Sequence, residues 1–476
     1  MKICVLLPDY STSSVDYQNY DPPRSLSHLM PQAEFDHVLL NKLTTYKQLK
    51  ELKKKKYDIY VNLCEGYLEW EVPSIDVIYS LELLNLPFTG PTSLLYDPPK
   101  ELMKYVAYTE GISIPAYAII ESLDEIENNC KHLCYPLFVK PAKAGDSLGI
   151  DKKSLVNNIK ELKEKVEHII DEYTPLLVEE YINGREFSVM LVANPGSEKD
   201  VRVFQPIEYI FPYDAPYKTY ALKTSSLHPL ANIPCQDPGL ADKLKQAAKQ
   251  IFLSFGGVGY ARLDFRTNEK GDIFFLEINF TCSVFYNQGY EGSADYILKY
   301  DGFGQDNFLK IIIEEGIYRH RQKQKKYMMK GNSISGYGIY STQNINTDEL
   351  IFKGEEQAQR IVTRKHVEQN WSVEEKENFK KYAYPLSKEV FLLWDNDPTG
   401  WAPQNHSCNP NTAYSGLNVL AIRPILAGEE LTLDYATFLA EEYMEPFNCK
   451  CGAANCRGYI TGVANNSITT REGITG

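Results

Sequence analysis

Four cysteines near the end of the chain restrict its fold more than any other feature. Cys449, Cys451 and Cys456 lie in CKCGAANCRG, with one and four residues between them. A fourth, Cys408, sits upstream in NHSCNPN, beside a histidine. Four thiolates are the ligand set of structural zinc, which closes them into a tetrahedron. A closed site leaves no position for water or substrate, so such a metal builds and does not catalyse. Tyr435, in the nearby run LTLDY, is then the candidate for chemistry.

The surrounding text orders four motifs: SISGYGIY at Ser333–Tyr340, NHSCNPN at Asn405–Asn411, GEELTLDY at Gly428–Tyr435, and the cysteine tail. Together they resemble a SET-domain methyltransferase with a post-SET zinc tail, over about Met329 to Gly462. The resemblance implies a mainly β domain that binds S-adenosylmethionine. It assigns that cofactor to Gly336, Gly338, Asn405 and His406, and Zn²⁺ to Cys408, Cys449, Cys451 and Cys456. Tyr435 would line the channel where the target amine meets the methyl group. The residue types agree with these roles. Methyl transfer needs a neutral amine held in line with a sulfonium methyl, which is mainly a positioning task. Glycines let backbone approach a ligand closely.

A chain of 476 residues suggests two to four domains. Its net charge of −13 disfavours nonspecific binding to nucleic acid or an anionic membrane. The other cysteines, at 4, 64, 130, 134, 235 and 282, form no framework. That usage is expected of reduced thiols in a cytoplasmic protein. MKICVLLPDY reads as a first strand, not a signal peptide. No run approaches the ~18 apolar residues of a membrane helix.

From Met1 to about Leu95, short apolar runs (ICVLL, YDIYVNL) alternate with helical stretches (TYKQLKELKKKK, PSIDVIYSLELL). This alternation predicts an α/β layer with a mostly parallel sheet. In SLVNNIKELKEKVEHII, the positions 155, 159, 162, 166 and 169 form one apolar helix face. DVRVFQPIEYIF alternates as a strand. LADKLKQAAKQIFLSFGG reads as a helix closed by glycines. YRHRQKQKKYMMK, Tyr318–Lys330, has six Lys or Arg and no acid, and is expected to be a linker.

Two strands carry a second constellation. In YARLDFR, alternation puts Tyr260, Arg262 and Asp264 on one face. In DIFFLEINF, Glu277 and Asn279 share a face, and Phe274, Leu276, Ile278 and Phe280 are expected opposite. Paired as a hairpin, the strands would gather Arg262, Asp264, Glu277 and Asn279. Hard oxygen ligands of this kind suit Mg²⁺. Upstream, PLFVKPAKAGDSLGI offers Lys140 and a small-residue loop able to wrap phosphate oxygens. LLVEEYINGREFSVM adds Glu179 and Glu186, which can accept from an adenine amine and ribose hydroxyls.

This order of motifs resembles the ATP-grasp superfamily, in its D-alanine–D-alanine ligase branch, over about Met1 to Ile317. The resemblance implies an acid activated as its acyl phosphate and attacked by an amine. It makes Lys100, Lys140, Ser147, Glu179, Glu180, Ile182 and Glu186 nucleotide-binding residues. Asp264, Glu277 and Asn279 would hold Mg²⁺, and Arg262 and Lys218 would serve the transferring phosphate and substrate. Asn279 is followed by FTCSVFYNQGYEG, without the branch's Pro-Gly turn, and NLCEG stands for its usual His-Gly segment. An ATP-dependent ligase of other substrates is therefore expected.

The expected architecture is an α/β ATP-grasp part, a parallel-sheet layer plus α+β grasp subdomains, followed by a mainly β SET domain. Its divisions are 1–96, 97–317, a basic linker 318–330, 331–445 and a zinc tail 446–462. The expected function is a carboxylate–amine ligase joined to an amine methyltransferase of lysine type. Substrates are a small acid, an amine or peptide, and a protein or peptide methyl acceptor. Two alternatives are a SET methyltransferase whose ATP-grasp part only binds nucleotide or a partner, and a zinc-stabilised interaction module without catalysis.

Overall fold

The computed structural model describes residues 1–11, 21–66, 72–143, 148–196, 200–212, 217, 231–332, 335–354, 359–385, 389–394, 404–437 and 446–462. The chain forms two compact units, Met1–Gln322 and Lys323–Gly476.

The first unit opens with a parallel sheet. Strands β1 (Lys2–Pro8), β2 (Glu34–Leu40) and β3 (Ile59–Asn62) lie in the order β2-β1-β3. β1 reads as one continuous apolar run because both of its faces are buried. Cys4 and Leu6 pack with Leu49 of α1 (Thr45–Lys53) and Val77, Ile78 and Leu81 of α2 (Ile75–Leu83). Ile3, Val5 and Leu7 face the opposite way, toward Ile297, Phe308 and Ile312 from late helices of the same unit.

Helix α3 (Lys100–Thr109) leads into a four-stranded antiparallel sheet. Its strands are β4 (Tyr117–Ile120), β5 (Leu137–Pro141), β6 (Leu155–Val156) and β7 (Leu176–Glu180), with short α4 (Ile126–Cys130) and long α5 (Ile159–Tyr173) packed on it. The helix starts later than the apolar spacing suggested, and Leu155 belongs to β6. Asn158 decides the start, because its side chain accepts from the N–H groups of Lys160 and Glu161.

A six-stranded antiparallel sheet follows: β8 (Glu186–Ala193), β9 (Val201–Val203), β10 (Ile207–Tyr209), β11 (Asn232–Pro234), β12 (Tyr260–Thr267) and β13 (Ile273–Asn279). The run DVRVFQPIEYIF forms two strands rather than one. It breaks around Pro206, which has no N–H for a ladder. Helix α6 (Pro238–Ser254) covers one face, capped by the Asp237 side chain at Leu240 N. Helices α7 (Ser293–Asp301) and α8 (Gly304–Lys323) complete the unit.

The basic run Tyr318–Lys330 divides between the last turns of α8 and the first strand of the second unit. Arg319 turns inward, 3.0 Å from the Glu315 carboxylate and donating to Phe88 O at 2.8 Å.

The second unit is rich in short strands. β14 (Tyr327–Asn332) pairs with β15 (Gly336–Ser341); β16 (Leu350–Phe352), β17 (Gln359–Thr363), β18 (Tyr384–Pro385) and β19 (Val390–Trp394) follow. Between β17 and β18 lie α9 (Arg364–Asn370) and α10 (Val373–Tyr382). Then come β20 (Asn405–His406), β21 (Thr412–Ser415), β22 (Asn418–Ala421), β23 (Thr432–Leu433), β24 (Phe447–Asn448) and β25 (Tyr459–Ile460). No helix among the described residues is long and apolar enough to cross a membrane.

Candidate functional site

In the first unit, β12 and β13 pair so that Arg262 lies opposite Asn279 and Asp264 opposite Glu277. The face expected from alternation therefore assembles. The register slips just beyond it, between Asp264 and Phe265, where Phe265 meets Phe275. Such a bulge inserts one unpaired residue and reverses the alternation on its far side. Phe275 is consequently the buried core residue, with Ile278 and Phe280, while Phe274 and Leu276 are only half-buried. That corrects the expected placement of Phe274 and Leu276.

The Arg262 guanidinium binds Asp264 through two hydrogen bonds of 3.1 and 3.0 Å. Ser188 on β8 donates to Asp264 Oδ1 at 2.6 Å. Lys100 stands 3.2 Å from Glu277. The buried amide nitrogen of Asn279 has no hydrogen-bond partner. That orphaned amide leaves polar capacity on this face for a bound group. Two carboxylates and one amide oxygen on a common face are hard donors that fit Mg²⁺.

Beside this face lies a lysine cluster. Lys100 and Lys104 are one turn apart on α3, so they share a side of the helix. Glu179 on β7 forms ion pairs with two lysines, Lys104 at 2.7 Å from Oε2 and Lys140 at 2.5 Å from Oε1. All three side chains are buried. Burial pushes the Glu179 carboxyl up, but Lys104 and Lys140 more than offset this and hold it at about 2. Burial lowers Lys104, whereas the carboxylates around Lys140 more than offset its burial and raise it. Glu186 is buried at the start of β8, 4.0 Å from Arg266. Glu180 accepts from Cys134 N at 2.8 Å, and Ile182 is half-buried just after β7. Ser147 and Lys218 lie outside the described residues.

In the second unit, β20 runs parallel to β23, bringing Asn405 beside Thr432 and His406 beside Leu433. Asn405 donates to Tyr337 O at 2.8 Å and to Glu430 at 2.7 Å, tying the glycine strand to both later motifs. Gly336 opens β15 with φ +86°, a conformation side chains resist, and Gly338 pairs with Lys330. His406 Nδ1 accepts from Tyr435 N at 3.2 Å, so Nε2 carries the proton and faces Cys408 Sγ at 3.4 Å. Burial lowers the His406 pKa, which keeps the ring neutral despite Asp434 at 3.6 Å. The Tyr435 hydroxyl donates to Gln404 O at 2.6 Å, which fixes its rotation.

The sulfurs of Cys408, Cys449, Cys451 and Cys456 all lie within 4.8 Å of one another. A tetrahedral ion with Zn–S bonds of ~2.3 Å needs sulfurs about 3.8 Å apart, and Cys408 and Cys449 are 3.9 Å apart. Backbone N–H groups of Cys408, Cys451 and Arg457 point at sulfurs of the set, as anionic thiolates require. Arg457 also reaches Asp434 at 2.5 Å, joining the tail to the LTLDY motif.

Residues 106–285 match the family described as D-ala D-ala ligase C-terminus, and residues 336–436 match the SET domain. The chain joins a D-alanine–D-alanine ligase-type ATP-grasp domain to a SET domain. The ATP-grasp part is 30% identical over 205 residues to a D-alanine–D-alanine ligase of Bordetella avium, 42% of this chain and 62% of that one. It is 30% identical over 213 residues to the Enterococcus faecalis enzyme, 42% of this chain and 58% of the relative. The chain thus spans about six-tenths of the length of these curated relatives. Among solved structures, the ATP complex of the Bacillus anthracis D-alanine–D-alanine ligase aligns with TM-score 0.50 and 18% identity, covering 68% of this chain and 99% of that one. The Coxiella burnetii ligase gives the same score and identity, over 68% and 96%.

Sequence reasoning missed Lys104 in the ATP-grasp domain and the Arg457–Asp434 pair beside the SET domain. The first had a signal. KELMKYVA places Lys104 on the helix side that also buries Met103 and Ala107. A lysine on an apolar face needs a buried partner.

Proposed function

We propose that the chain is a bifunctional enzyme: an ATP-dependent carboxylate–amine ligase and an S-adenosylmethionine-dependent amine methyltransferase. The ligase reading rests on the register that sets Asp264 against Glu277, with Arg262 and Asn279 alongside. In this reading Asp264, Glu277 and Asn279 hold Mg²⁺, which neutralises phosphate charge when bound. Lys100, Lys140 and Arg262 supply fixed positive charge to the transferring phosphoryl group. Glu179 holds Lys140 in place, and Glu180, Ile182 and Glu186 contact the nucleoside. Ser147 and Lys218 complete the phosphate and substrate contacts. The carboxylate takes the γ-phosphoryl group of ATP with release of ADP, and a neutral amine attacks the acyl phosphate to form the amide with release of phosphate.

For the methyltransferase, Gly336, Gly338, Asn405 and His406 bind S-adenosylmethionine, the source of the methyl group. Tyr435 orients the incoming neutral amine. The cysteine tetrad, holding zinc, fixes the tail through Arg457 and Asp434. The catalytic divisions are 97–317 and 331–445, preceded by the layer 1–96, separated by 318–330 and closed by 446–462. No nucleic acid or membrane partner is implied.

The ligase reading is tested by nucleotide analysis. The full chain, given Mg²⁺, ATP and a mixture of small acids and amines, should form ADP and phosphate. AMP and diphosphate as products would reject the acyl-phosphate route.

A further inference from the structure

Strands β8, β12 and β13 lie side by side, and their registers set Ser188, Asp264 and Glu277 in one row across the sheet. Ser188 comes from EFSVMLVA. Alternation there sends Phe187, Val189 and Leu191 into the core with α6, and turns Glu186 and Ser188 to the metal face. From Phe187 to Ala193 Ser188 is the one polar residue. Its exposure is 2%. A hydroxyl buried in such a run costs stability unless it is bonded. Its one proton goes to Asp264 Oδ1 at 2.6 Å.

Asp264 does not need Ser188 for charge balance. Arg262 already spans both carboxylate oxygens, 3.1 Å from Oδ1 and 3.0 Å from Oδ2. The two anchors differ in kind. Arg262 reaches Asp264 along the same strand, on a long side chain rich in rotamers. In the proposed reaction the same guanidinium also serves the transferring phosphate. Ser188 reaches across from the neighbouring strand on a short side chain. Its backbone is fixed on both sides, against Ile207 of β10 and Asp264 of β12. Glu277 stands on the far side of Asp264, on β13. The hydroxyl therefore anchors the carboxylate from the β8 side, away from Glu277, however the guanidinium is engaged.

We propose that Ser188 is a positioning residue for the divalent cation, its hydroxyl orienting the Asp264 carboxylate as a ligand beside Glu277 and Asn279. Hydrogen-bond partners behind ligating carboxylates set metal affinity, and removing one costs about 10–100-fold. Ser188 acts through Asp264 and takes no part in the chemical steps. This inference rests on the ligase reading for the task of the ion, but ion and nucleotide binding can be measured without turnover.

The test uses Mn²⁺ as the probe, because its unpaired electrons separate bound from free ion in the EPR spectrum. The full chain as wild type, Ser188→Ala, Ser188→Thr and Ser188→Val is titrated with Mn²⁺ in saturating ADP. Calorimetry measures ADP binding without metal. Ser188→Ala and Ser188→Val should weaken Mn²⁺ binding roughly ten- to a hundred-fold, with metal-free ADP affinity unchanged. Ser188→Thr keeps the hydroxyl and should stay near wild type. Thr and Val differ in the hydroxyl and little in shape, so this pair separates hydrogen bonding from packing and serves where Ser188→Ala fails to fold. Equal Mn²⁺ affinity in the Thr and Val variants would overturn the inference and leave the ligase reading standing. Parallel loss of Mn²⁺ and metal-free ADP binding would mark a packing role and overturn it as well. Wild-type protein that binds no Mn²⁺ with ADP would overturn the metal face and this inference together.

Discussion

Asp264 and Glu277 face each other across β12 and β13, and each is held by a cation, Arg262 at 3.0 Å and Lys100 at 3.2 Å. Two carboxylates set opposite one another repel unless cations lie between or beside them. Replacing Glu277 by Gln keeps the shape and removes one negative charge. ADP formation should fall by about 10²–10³-fold, the size of a single electrostatic group in a polar reaction. Phosphate release by the purified variant checks this, and unchanged turnover would remove Glu277 from the metal face.

The Lys104–Glu179–Lys140 cluster should carry stability as well as shape. Glu179→Gln strips buried Lys104 of its ion partner and Lys140 of one of the carboxylates around it, a loss of about 3–5 kcal/mol for a broken buried pair. The sign with pH follows from the low Glu179 value, about 2. A carboxylate depressed below its unfolded value of about 4.3 adds stability above that value. The contribution disappears as pH falls toward 2. Denaturant titrations of both proteins should therefore differ most near neutrality and converge in acid.

The ligase face was legible because strand alternation and a short hairpin connection fix Arg262, Asp264, Glu277 and Asn279 within local sequence. The bulge at Leu276 was not, since a register slip leaves no mark in a run such as IFFLEIN. The Glu65–Ser283 contact joins residues 218 apart, and only the packing of β13's following segment onto the first sheet creates it. In the SET domain, Asn405, His406 and Cys408 were legible as a compact motif. Arg457 was not, because its partner Asp434 is set by the return of the cysteine tail.

Zinc should be present at about one ion per chain, and Cys449→Ser should abolish it. Chelation should lower methylation before the ATP-grasp unit unfolds, because the tetrad lies wholly in the second unit. Elemental analysis of freshly purified protein without zinc would contradict the site.

Asn405 and Tyr435 should separate binding from transfer. Asn405→Ala removes the donor that ties Tyr337 to Glu430 and should weaken S-adenosylmethionine binding by calorimetry. Tyr435→Phe keeps the ring packing and loses only the hydroxyl bonded to Gln404 O. Cofactor affinity should hold while the methyl-transfer rate, or the number of methyl groups added, changes.

Two catalytic centres in one chain should come apart in a single paired assay. The wild-type chain, Glu277→Gln and Tyr435→Phe are each given ATP, Mg²⁺, S-adenosylmethionine and a small-molecule and protein extract. ADP and S-adenosylhomocysteine are then quantified from the same reaction. The wild type should form both products, Glu277→Gln should lose ADP alone, and Tyr435→Phe should form less S-adenosylhomocysteine alone. Wild-type protein forming only one product, or either variant leaving its own product unchanged, would rule out two such centres.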